Sequence, residues 1–239
     1  MKTFSKTDIG MVREVNQDYV FVTETPIGNL PNLLVVADGM GGHRAGEYAS
    51  RLAVEVLKQE LEGSTGDSPE AVMRNAITRA NERVLEAARQ DAKLSGMGTT
   101  LVVATVIERT LYFANVGDSR AYLIAENGLC CITTDHNVAS LLYEQGKITE
   151  SEMAVHPQKH MLTRAVGVEK TVLTDTFILT YEDKISLLLC SDGLSGYCSD
   201  DEIYDVLSET DFDSAAESLI QLALNKGGRD NVTVAVISS

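Results

Sequence analysis

Aspartate recurs in one kind of setting in this 239-residue chain: beside or within two residues of glycine, at one end of an apolar run. Asp38 follows L-L-V-V-A (Leu33–Ala37) and precedes Gly39, with Gly41 and Gly42 just beyond. Asp118 closes Y-F-A-N-V-G, Asp192 stands between L-L-L-C-S and Gly193, and Asp230 lies in G-G-R-D-N, ahead of V-T-V-A-V. A carboxylate fixed at the end of a rigid strand, next to backbone that bends freely, suits a metal ion. With no Cβ on Gly39, its carbonyl can also turn toward a ligand. Taken singly, each aspartate reads equally as a solvated residue in a glycine-rich turn. Together, in a chain without a Cys/His ligand pattern, they are hard oxygen donors that select Mg²⁺, Mn²⁺ or Ca²⁺ over zinc or copper. Two such ions about 3.5–4 Å apart could share one carboxylate and polarise a water between them, the chemistry of in-line phosphate-ester hydrolysis. Arg13, in G-M-V-R-E-V-N-Q-D, offers a planar fork for two phosphate oxygens. Alone it would be an ordinary surface charge.

These residues need elements to hold them. Leu33–Ala37 reads as a buried strand that stops at Asp38, and Tyr19–Thr23 as a β-branched and aromatic one. From Ala45 the period changes: Ala45, Ala49, Leu52, Ala53, Val56, Leu57 and Leu61 share a helical face. Gly63–Gly66 breaks that helix, and Ser68-Pro69 opens a second one as cap and first turn. Thr99–Ile107, Thr110–Val116, Arg120–Ala125 and Leu129–Thr133 read as strands with short, antiparallel connections, the last pair joined by a hairpin turn at Glu126-Asn127-Gly128. Val172–Leu179, Ile185–Cys190 and Val232–Ile237 are further strands. Capping boxes mark helix starts at Thr149 and Ser199, and Ser214–Asn225 is amphipathic. Asn137–Pro157 has few apolar anchors toward its end and reads as an exposed insertion. No low-complexity linker or repeat divides the chain. The order favours one domain: helix pair, two packed sheets, helix pair.

Composition narrows the function. A net charge of −15 opposes nucleic acid and anionic membrane surfaces as partners. The N-terminus is too polar for a signal peptide, and no apolar run approaches the roughly 18 residues that span a bilayer. Cys130, Cys131, Cys190 and Cys198 form no C-x-x-C and read as reduced thiols of a cytoplasmic protein.

Assembled, the motifs T-D-I-G-x-V-R-x-x-N-Q-D (Thr7–Asp18), V-A-D-G-M-G-G-H (Val36–His43), G-M-G-T-T (Gly96–Thr100), N-V-G-D-S-R (Asn115–Arg120), T-x-D-H (Thr133–His136), H-P-Q-K-H-M-L-T-R-A-V-G (His156–Gly167), S-D-G-L (Ser191–Leu194) and G-G-R-D-N-V-T (Gly227–Thr233) run through nearly the whole chain in order. In these it resembles the metal-dependent protein serine/threonine phosphatases of type 2C, in their short bacterial form. The resemblance implies an α+β fold: a four-layer α-β-β-α sandwich of two mainly antiparallel sheets flanked by antiparallel helix pairs. It implies a single catalytic domain over 1–239 with a flap insertion at about 139–158. It implies two or three Mn²⁺ or Mg²⁺ ions in a cleft at one edge of the sheets. Asp38 would bridge two of them, with Asp192 and Asp230 on the first, the Gly39 carbonyl on the second, and Asp118 with Asp192 on a third. Arg13 would hold the substrate phosphate, and Asp18 would orient metal-bound waters. The expected reaction is hydrolysis of phosphoserine and phosphothreonine by a metal-activated water, without a covalent phosphoenzyme, in a monomer whose substrates are targets of a Ser/Thr kinase.

Two positions depart from the animal-type pattern: Gln17 replaces a glutamate ligand, and Met40 replaces a histidine proposed as general acid. Met40 cannot give a proton and His43 is not equivalent, so no residue is assigned that role. His136 reads as a turn residue bonding locally, and His156 and His160 as surface residues flanking the return of the insertion, with substrate contact as the other reading. Ser191 is not a nucleophile elbow, and no His/Asp pair accompanies it. The competing functions are hydrolysis of small phosphate esters and a regulatory binding role for a catalytically dead member.

Overall fold

The computed structural model describes residues 1–42, 44–125, 128–181 and 186–238. The expected hairpin turn at Glu126-Asn127, the strand start at Ile185, and His43 lie outside them. The strands are β1 (Lys2–Asp8), β2 (Asp18–Thr23), β3 (Leu33–Met40), β4 (Gly98–Thr99), β5 (Leu101–Ile107), β6 (Thr110–Val116), β7 (Arg120–Ala125), β8 (Gly128–Cys131), β9 (Asp175–Thr180), β10 (Ser186–Cys190) and β11 (Val232–Ser238). The helices are α1 (Ala45–Glu62), α2 (Pro69–Gln90), α3 (Val138–Glu144), α4 (Glu150–Ala154), α5 (Asp192–Ser195), α6 (Asp200–Glu209) and α7 (Ala215–Asn225).

The strands make two antiparallel sheets. One runs β1-β11-β10-β7-β8 and the other β2-β3-β5-β6-β9, with β4 paired to the end of β3. The apolar strands explain the layering, because alternate side chains face opposite sides. Along β3, Leu33, Val35 and Ala37 join a core beneath α1 and α2, while Leu34 and Val36 join a second core between the sheets. Along β11, Ala235 and Ile237 enter that inter-sheet core, while Val232, Val234 and Val236 pack beneath α6 and α7. Three cores make four layers, α-β-β-α. Strands covered on both faces read as continuous apolar runs, as these do.

Several boundaries differ from expectation. β3 does not stop at Asp38. It continues to Met40, because Asp38 pairs across from Asp18 of β2 and the next two residues pair with β4. The expected strand Thr99–Ile107 is split at Thr100, which leaves the ladder to donate its N–H to the Asp38 carbonyl (2.8 Å). β8 ends at Cys131, short of Thr133, and β9 begins at Asp175, not Val172. Both predicted capping boxes form, Thr149 with Glu152 and Ser199 with Glu202. Ser68 precedes α2, but its side chain makes no cap bond. In the 138–158 segment α4 buries nothing, and α3 buries only Ala139 and Ser140.

Candidate metal centre

The pairing register brings the aspartates to one end of the sandwich. Cys190 at the end of β10 pairs with Arg120 at the start of β7 and with Val234 near the start of β11. Asp118, Asp192 and Asp230 sit just beyond those strand ends. In the other sheet Val36 of β3 pairs with Val102 of β5, and Leu101 pairs with Val116, so the end of β3 and the exit of β6 lie at the same edge. Asp38, Gly39, Asp118, Asp192, Asp230 and Arg13 all line one cavity of about 920 Å³. Asp192 differs slightly from its expected setting: it opens the short helix α5 two residues past β10, rather than ending the strand.

Each position is tightly built. The Asp38 N–H donates to Thr100 Oγ1 (2.9 Å), its carbonyl accepts from Thr99 Oγ1 (2.9 Å), and Thr100 Oγ1 shares a bond with Ser119 Oγ (2.7 Å). Gly39 is required by packing as well as by any ligand. A Cβ there would lie 2.1 Å from the Gly46 carbonyl oxygen and 2.6 Å from that of Gln17. Gln17 and Met40 both face the cavity.

Asp18 lies buried behind Asp38. Ser191 Oγ donates to its Oδ2 (2.7 Å), while Oδ1 is enclosed without a hydrogen-bond partner. Burial pushes this carboxyl up to about 7, against the pull of the neighbouring Thr233 and Ser191 hydroxyls, with Asp192 and Asp230 adding to the rise. Asp38 is raised well above the usual carboxylate range by burial and then by the charges of Asp18, Asp192, Asp118 and Asp230. Asp118 is raised by burial, Asp192 and Asp135, and Arg120 only partly offsets this. These carboxylates perturb one another because the protein places them together with little opposing charge. Ser191, wholly buried and bonded to Asp18, cannot reach a substrate.

The cationic side chains nearby are already engaged. Arg13 Nη2 donates to Asp230 Oδ2 (2.7 Å), and Arg164 Nη1 donates to Asp175 Oδ1 (2.7 Å). The carboxylates, the enclosed Asp18 oxygen and the small neighbouring cationic charge fit divalent cations. Among the described residues no three Asp, Glu, His or Cys side chains close on one point. Ions here would complete their shells with carbonyl oxygen and water beside the carboxylates, as hard cations do.

The histidines separate. His160, on the cavity wall, has Nδ1 3.3 Å from Asp192 Oδ2 and stacks on Tyr197; the Asp192 bond raises its pKa. It is exposed, as the surface reading expects, but nothing in H-P-Q-K-H points to its contact with an aspartate 32 positions away. His156 accepts locally from the Gln158 N–H. His136 is buried: its Nδ1 accepts from the Gly117 N–H (3.1 Å), which leaves Nε2 to donate to Asp175 (3.0 Å), a longer reach than a local turn. A second cavity, of about 260 Å³, shares Asp118, Asp192 and His160 with the first and is walled on its other side by α3 and α4.

A four-layer sandwich with carboxylates gathered at one sheet edge, beside an open cleft, is the arrangement a metal-dependent phosphoester hydrolase needs. The family model described as "Protein phosphatase 2C" matches residues 28–232. The serine/threonine phosphatase stp of Listeria welshimeri is 39% identical over 237 residues, covering 97% of this chain and 93% of that protein. The crystal structure of the serine/threonine phosphatase Stp1 from Staphylococcus aureus superposes with a TM-score of 0.90 at 38% identity, covering 98% of this chain and 93% of that one. The catalytic domain of the serine threonine protein phosphatase PstP, solved in complex with 2 manganese ions, gives a TM-score of 0.84 at 34% identity over 98% and 96% of the two chains. The chain belongs to the protein phosphatase 2C family. It is a metal-dependent hydrolase that dephosphorylates serine and threonine in proteins.

Proposed function

We propose that Asp38, Asp192 and Asp230, with the Gly39 carbonyl, hold two Mn²⁺ or Mg²⁺ ions, and that Asp118 with Asp192 holds a third. What carries this reading is the convergence of aspartates from both sheets on one cavity. Bound there, the cations supply Lewis acidity, which acidifies water and offsets charge on the phosphoryl oxygens. Asp38 would be the carboxylate that two of them share. Its clamped backbone fixes where its carboxylate stands. Asp18 lies behind it and orients water through its unpartnered oxygen. Arg13 turns its fork from Asp230 to the substrate phosphoryl group, binding two oxygens and excluding misoriented esters. Ser191 donates a hydrogen bond to Asp18 and takes no part as nucleophile, consistent with direct attack by water.

The whole chain, 1–239, acts as one catalytic domain with 139–158 as its flap, working as a monomer in the cytoplasm on the products of a Ser/Thr kinase. No helix among the described residues is long and apolar enough to cross a membrane. The presence of all four aspartates argues against a catalytically dead binding member. Replacement of Asp38 by alanine, and separately of Asp192, should lower kcat on a phosphothreonine peptide by about 10³-fold, the scale expected when transition-state charge loses its stabiliser. Circular dichroism should show an intact fold. Near-normal, Mn²⁺-dependent turnover by Asp38→Ala would refute the assignment.

A further inference from the structure

The cavity extends well beyond the carboxylates, and its far wall carries apolar side chains among Arg164, Glu169 and Thr171. Met40, Val168 and Leu173 line it in continuity with Asp38 and Asp192. Val168 is 48% exposed and Leu173 70% exposed, large values for aliphatic side chains. The wall is tied down at residues 166–169. Val166 exchanges two backbone bonds with Thr99 (2.9 and 3.0 Å). Buried Asn81 of α2 accepts from the Gly167 N–H (2.7 Å) and donates to the Glu169 carbonyl (2.9 Å). Gly98 lies beneath two of these side chains: a Cβ there would lie 2.6 Å from Met40 Cε and 2.8 Å from Val168 Cγ2, so both close over a residue that has none. Exposed apolar groups on so fixed a scaffold, inside a reaction cleft, are arranged for recognition.

We propose that Met40, Val168 and Leu173 form an apolar subsite for an aliphatic side chain of the phosphoprotein substrate, close in sequence to the phosphorylated residue. This rests on the phosphatase reading above. Continuity with the metal centre identifies the occupant, because whatever places its phosphoryl group beside Asp38 must run its flanking residues along this wall. Met40 lies two strand residues from Asp38, about 7 Å along β3, the reach of one or two residues of extended peptide. The subsite discriminates among phosphopeptides by burying an alkyl group, an effect of roughly tenfold or more in kcat/KM.

The test uses phosphothreonine peptides of Gly and Ser carrying one leucine at each position within three of the phosphothreonine. The wild-type protein with Mn²⁺ should prefer leucine over serine by roughly tenfold at one of these positions. In Val168→Ser and in Leu173→Ser that ratio should fall toward one. Each ratio is taken within one enzyme, so a general loss of activity does not mimic the result. A wild type active on all peptides without preference overturns the subsite alone; a wild type inactive on every peptide overturns the phosphatase reading and the subsite with it. A preference that survives both substitutions also overturns the subsite. So does a dimer, seen by sedimentation, that the substitutions disperse while the ratio stays unchanged, since a second copy would then occupy the face.

Discussion

Arg13 shows how one side chain is held ready for a charge it has not yet met. Its Nη2 lies 2.7 Å from Asp230 Oδ2, and that bond, ahead of the smaller pull of Asp38 and Asp192, holds its pKa above the usual value. A cation taking Asp230 would free the fork for phosphate oxygens. Arg13→Ala should therefore raise KM for a phosphopeptide by about tenfold, with a smaller change in kcat, as expected when binding rather than chemistry is lost. Arg13→Lys should fall between, keeping charge without the bidentate geometry. Steady-state kinetics at saturating Mn²⁺ decide it, and an unchanged KM in the alanine variant would argue against phosphate binding. At this scale the sequence was most informative where chemistry and backbone coincide. Asp38, Asp118 and Asp192 were legible because each adjoins glycine near the end of an apolar strand, and Asp230 because it follows Gly228 by two residues just ahead of β11. His160 was not, because its bond to Asp192 arises only when the chain returns from the 138–158 segment. The enclosure of Asp18 was equally hidden, since it depends on Ser191 at a distance of 173 positions.

Among the elements, what positions the cleft is often a single polar side chain inside the packing. Asn81 on α2 bonds both Gly167 and Glu169 through their backbones, and so ties the cleft wall to a helix. Asn81→Ala would leave a buried N–H and a carbonyl without partners, at a cost of about 1–3 kcal/mol. A lower urea midpoint with an unchanged m-value, together with faster amide exchange at Gly167, would report it. An unchanged midpoint would mean that the Thr99–Val166 bridge alone carries the wall. Asn81 falls within a regular helical pattern, and nothing local marks it as more than a surface amide. The helices themselves were legible, since α1, α2 and α7 follow apolar periodicity and two starts carry capping boxes. The extension of β3 to Met40 and the break at Thr100 were not, because both depend on which strand lies alongside.

At the scale of the whole molecule, the three apolar cores support an edge that is unfavourable by itself. Both sheets bring carboxylates to one cleft, where Asp38 is raised by burial and by four neighbouring aspartates. A raised carboxyl pKa means that the ionised form is disfavoured in the folded state, so a metal-free protein holding Asp38 charged is less stable than its cores would allow. Cations that bind only the folded chain reverse this by mass action, giving about 4 kcal/mol at a thousandfold excess over Kd. Saturating Mn²⁺ should therefore raise Tm, and EDTA should return it. Asp38→Asn separates the two effects. In EDTA it should melt a few degrees above the wild type, since about 1 kcal/mol shifts Tm by ~2–4 °C at this chain length. With Mn²⁺ it should gain less than the wild type, having lost the shared ligand. Scanning calorimetry of both proteins, with and without Mn²⁺, gives the four values needed. If the asparagine variant melts below the wild type in EDTA, Asp38 is held by hydrogen bonds that its charge strengthens, and the edge is not a site where stability has been exchanged for catalysis.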